Sequence, residues 1–156
     1  MTPTLIGRIE SRIVLVLTAA LPWTAIITPF LIAPAGMGLG DVFRLTLSGI
    51  AIVLVAGIGW ELVYHALQQF RWDKDWPTLF GLVTGINEGV TTWVGLHLLN
   101  HLNSHYGVTG SYGSSNLVFK IFLVHFITTW VFVWLWSNGP FKVVFFRWRF
   151  EGGRVV

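Results

Sequence analysis

Four apolar stretches, each close to the about 20 residues a helix needs to cross a bilayer, constrain this chain more than any other feature. Residues 13–33 read IVLVLTAALPWTAIITPFLIA, without a charge. Residues 45–67 read LTLSGIAIVLVAGIGWELVYHAL, with Glu61 and His65 toward the end. Residues 77–99 contain TGINEGVTTWVG, and residues 121–139 read IFLVHFITTWVFVWLWSNG, with His125 inside. The chain is 54% hydrophobic and 11% charged, against roughly 25% charged in soluble domains. Ten Lys/Arg and seven Asp/Glu cannot cover a soluble core of 156 residues. The pattern predicts an all-α integral membrane protein, a single domain (1–156) of four transmembrane helices in an antiparallel bundle. Residues 140–156 form an interfacial tail.

The first stretch has a signal-peptide look, with Arg8 and Arg12 ahead of an apolar segment. Its apolar character continues through ITPFLIA, so a retained helix is expected, kinked or loosened at Pro22 and Pro29. Orientation follows Lys and Arg. Arg8, Arg12, Arg71, Lys74, Lys142, Arg147, Arg149 and Arg154 fall on one side, and Arg44 and Lys120 on the other. Eight against two predicts that both termini and the RWDKDW turn (71–76) are cytoplasmic. The plasma (inner) membrane is the expected location, from compactness and the lack of organelle signals.

The connections fit this reading. GMGLGD ends in Asp41, an expected N-cap for the second helix, and Asp75 before Trp76-Pro77 marks the start of the third. Residues 103–116 form a turn-rich outer loop. Trp72, Trp76, Trp134, Trp136 and Trp148 suit the headgroup zone on the inner side. The tail FKVVFFRWRFEGGR alternates apolar and basic residues, as a surface-lying segment or a strand would. The basic residues otherwise stand beside the apolar runs and form no clustered face, so a nucleic-acid partner is not expected. Without cysteine, disulfides, iron–sulfur clusters and thiolate zinc sites within this chain are excluded.

Glu88 raises the central question, because a carboxylate deep in a span costs at least about 2.5 kcal/mol unless something receives it. Gly81, Gly85 and Gly89 recur every fourth residue, a smooth strip along which another helix can approach. Gly49, Gly57, Glu61 and His65 form a similar strip on the second helix. Folding the two as a hairpin places Glu61, His65, Asn87 and Glu88 within about two helical turns, with His125 at a similar depth. Two carboxylates so close do not both ionise cheaply in a dry interior. A shared proton, a protonated histidine or a metal cation would resolve the repulsion. Neutral interhelical hydrogen bonds that fix packing are the plainer alternative.

A second group, His97, His101 and His105, is spaced by four near the outer end of the third span. Adjacent members share a helix face and suit Cu²⁺ or Zn²⁺, whereas the outermost two stand about 12 Å apart. A wetted helix end, with Asn100 and Asn103 beside them, is the plainer explanation. A haem held by two deep histidines is the least specific option. No phosphate loop, nucleophile elbow, His-Glu-x-x-His or EF-hand motif is present.

Small size and abundant packing glycines favour an auxiliary subunit without catalytic activity of its own, packed in the lipid bilayer against a larger integral membrane complex or as a homo-oligomer. The alternatives are a metal- or quinone-dependent membrane enzyme using the Glu/His cluster and a small proton-coupled carrier.

Overall fold

A computed structural model describes residues 4–31, 38–70, 78–105, 115–145 and 154. For residues 78, 103–105 and 115–117 only the backbone is described. The expectations for the 71–76 turn, the cap at Asp75, most of the 103–116 loop and the tail beyond Phe145, Arg154 apart, lie outside the described residues.

Every element among the described residues is helical. The first span joins α1 (Leu5–Leu15), a π-helical turn (Val16–Ala20), α2 (Leu21–Ile27) and a 3₁₀ turn (Thr28–Phe30). It is followed by α3 (Leu39–Gln69), α4 (Thr78–His105), α5 (Ser115–Asn138) and the short α6 (Pro140–Val144). Among the described residues, three helical stretches are long and apolar enough to cross a membrane: Leu5–Phe30, Leu39–Gln69 and Val118–Val144. At 28 residues α4 has the length, but Asn87, Glu88 and its threonines dilute its apolarity.

Local chemistry explains the departures from the expected limits. The first helix begins at Leu5, not near residue 13, because the Thr4 hydroxyl accepts from the Gly7 N–H at 3.1 Å and caps it. Arg8 and Arg12 therefore lie within the helix. The backbone irregularities fall at the two prolines. Pro22 lacks an N–H and its ring crowds the carbonyl four residues back, and the turn before it widens so that Leu21 N–H bonds Val16 O. Pro29 sits in the 3₁₀ turn. Asp41 is not the N-cap of α3. Gly38 is, and Asp41 in the first turn accepts from the Gly38 N–H at 3.2 Å.

α3 and α5 touch each other, and each also touches the first span and α4. An apolar cluster of Leu31, Val42, Leu45, Leu96, Val118, Ile121 and Phe122 fills one end of the bundle. Toward the other end Glu61, Gln68 and Glu88 are buried alongside Val16, Tyr64 and Phe141. Along the middle of α4 the usual radial order is inverted. On α4, Glu88 and Thr92 are 2% and 1% exposed, whereas Ile86, Val90 and Val94 are 67%, 62% and 60% exposed.

Candidate functional site

The buried polar end is organised by the first span. Arg8 and Arg12 are one helical turn apart on α1 and project from the same face. Glu61 and Gln68 lie on the buried face of α3, and Glu88 on that of α4. Arg12 reaches Glu88 with both prongs of its guanidinium, Nη1 to Oε2 and Nη2 to Oε1, each at 2.7 Å. The same guanidinium donates to Glu61 Oε1 from Nη2 at 2.6 Å and from Nε at 3.1 Å. Arg8 donates to Glu61 Oε2 at 3.3 Å and to Gln68 Oε1 at 2.8 Å.

Among the described residues, two guanidinium groups and two carboxylates thus meet in one cluster that ties α1, α3 and α4 together. The side chains of Arg12 and Glu88 are only 10% and 2% exposed. Planar two-pronged pairing with a carboxylate is a property of Arg and not of Lys. Gly57 makes the reach possible: a Cβ there would collide with the Arg12 guanidinium.

Of the five residues expected to converge, the structure joins Glu61 and Glu88, through Arg12. His125 Nε2 meets the Thr24 hydroxyl of α2 at 3.0 Å, not Glu88. His65 is half-buried, with Nδ1 lacking a partner among the described residues. Asn87 is exposed. Arginine faces both carboxylates, a compensation that the spacing of the apolar runs does not reveal. Arg8, Arg12 and Gln68 are the members not among those five. Their signal is the four-residue spacing in LIGRIESR, which places both arginines on one stripe of an otherwise apolar helix.

The glycine strip of α4 does not face α3. A Cβ on Gly81 would touch Trp134, one on Gly85 would strike the Trp130 indole, and one on Gly89 would press on Phe126 at 3.0 Å. The strip is a trough for the aromatic side chains of α5, and Trp130 also donates to Leu82 O at 3.3 Å. The face of α4 toward α3 uses Thr91, which accepts from Trp60 Nε1 at 3.0 Å, and Gly95, against Ile52.

His97 and His101 are both exposed on α4, which continues as helix through His105. The His105 side chain lies outside the described residues. Among the described residues no three His, Asp or Glu side chains converge in a manner suited to a metal ion. Comparison with known proteins finds no matching family model, no matching curated protein and no matching solved structure.

Proposed function

We propose that the chain is a four-span integral membrane protein of the plasma membrane, with cytoplasmic termini, acting as an auxiliary subunit of a larger membrane assembly. The observation that carries this reading is the inverted distribution of side chains. On α4, Glu88 and Thr92 are buried and hydrogen-bonded, and Leu79, Val83, Ile86, Val90, Val94 and Leu98 form an exposed apolar stripe. A stripe of that kind on the least apolar of the long helices suits contact with lipid or another membrane protein. α4 then supplies the fourth crossing.

The arginine–glutamate cluster suits a brace. Its carboxylates are engaged by guanidinium groups, whose planar fork meets a carboxylate at two points. Removing one member leaves an uncompensated charge and costs about 3–5 kcal/mol, whereas the complete set mainly specifies which helices meet and in what register. The excess of flanking Lys and Arg keeps its side once Arg8 and Arg12 are counted as interior. Six flanking basic residues (Arg71, Lys74, Lys142, Arg147, Arg149, Arg154) then oppose Arg44 and Lys120.

Extraction from native membranes in mild detergent, followed by native mass spectrometry, tests the subunit role. The expected result is the chain bound to a larger integral protein; a population of lone chains alone contradicts it.

One observation favours a second reading, a small proton-coupled carrier. The π turn at Val16–Ala20 shares a span with the two buried arginines, and π turns recur at functional sites. Proton flux in liposomes that is lost in Glu88→Gln supports the carrier and counts against the brace.

A further inference from the structure

We propose that His97 and His101 form a two-imidazole binding site for a divalent transition cation, at the end of α4 remote from the arginine–glutamate cluster. The proposal is independent of the subunit role, because it rests only on the geometry of this helix end.

α4 is continuous through both residues. Four residues along an α-helix give a rise of about 6 Å and a rotation of about 40°, so both side chains leave the same stripe, within reach of one ion. Both histidines are exposed. His97 is already oriented: its Nδ1 lies 3.2 Å from Trp93 O, and its ring stands edge-on to the Trp93 indole with centroids 4.3 Å apart. A carbonyl oxygen only accepts, so Nδ1 carries the proton and the Nε2 lone pair is left for a ligand. A backbone carbonyl holding the far nitrogen is the arrangement that metal-binding histidines use.

Position along the helix allows access. His97 and His101 lie about 28 and 35 Å from the Thr78 end, close to or beyond the about 30 Å of a hydrocarbon core. The charged groups described near that end, Asp41, Arg44 and Lys120, do not supply an attractive field. Selection therefore rests on donor chemistry: imidazole nitrogens suit Zn²⁺, Cu²⁺ or Ni²⁺, whereas Mg²⁺ and Ca²⁺ prefer oxygen. Water completes the coordination. His105 stands about 12 Å of helix rise from His97 and cannot share an ion with it.

The test is a ZnCl₂ titration of tag-free protein in detergent, read by competition with a chromophoric chelator. The expected result is one Zn²⁺ per chain, weakened more than about tenfold in His97→Ala and in His101→Ala. Binding should be unchanged in His105→Ala and insensitive to excess MgCl₂. Because both side chains are exposed, the variants should keep the wild-type melting temperature, which is measured in parallel. Undiminished binding in the His97→Ala/His101→Ala double variant overturns the proposal. So does loss of binding in His105→Ala together with retention in His97→Ala.

Discussion

Arg12 and Glu88, 76 positions apart in the chain, face each other as a two-pronged pair with both N–O distances at 2.7 Å. The pair joins the first span to α4 across α3, where Glu61 shares the same guanidinium. Stability of the first span in the bundle therefore depends on whatever lets that guanidinium reach.

Gly57 is the first such feature. Gly57→Ala places a Cβ where the Arg12 guanidinium lies. It should lower stability by about 1–3 kcal/mol, as overpacking does. Gly59→Ala, with nothing within 4 Å of the new Cβ, should be neutral or stabilising. Unfolding midpoints in mixed micelles compare the two, and equal effects contradict the placement of Arg12.

The trough of α4 makes a separate prediction. Gly85→Ala collides with the Trp130 indole and disturbs its bond to Leu82 O. A loss of about 1–3 kcal/mol is expected. The same change in a Trp130→Phe background should cost less, because the smaller ring leaves room. Identical costs in the two backgrounds would place Gly85 away from α5.

Topology is open to chemistry because the chain has no cysteine of its own. A single cysteine at Ser111 should react with an impermeant thiol reagent in intact cells, and one at Thr2 should not. The opposite pattern reverses the orientation.

Much of the bundle was legible in the sequence, since apolar runs of spanning length leave few options. The meeting of Glu61 and Glu88 also followed from counting outward from the turn between their helices. Their true partner was not legible. An arginine just before an apolar run is read as a headgroup anchor, yet its long side chain can as well turn inward to a carboxylate. Only the docking of α1 against α3 decides between these, and that contact joins segments some fifty residues apart. The glycine strip misled for a related reason. A smooth surface accepts either a neighbouring backbone or a flat ring. The matching signal was present in Phe122, Phe126, Trp130 and Trp134, an aromatic stripe with the same spacing of four.

Arg12 and Glu88 neutralise each other inside the bundle, so their contributions to its stability should be coupled. The most direct measurement is a double-mutant cycle with the near-isosteric apolar replacements Arg12→Met and Glu88→Leu, read as unfolding free energy in mixed micelles. Each single variant leaves the remaining buried charges unbalanced and should cost about 3–5 kcal/mol. The double variant retains Arg8 with Glu61, a balanced pair, so it should cost clearly less than the two singles together. Strictly additive costs would show that the two side chains do not meet, and would contradict the account.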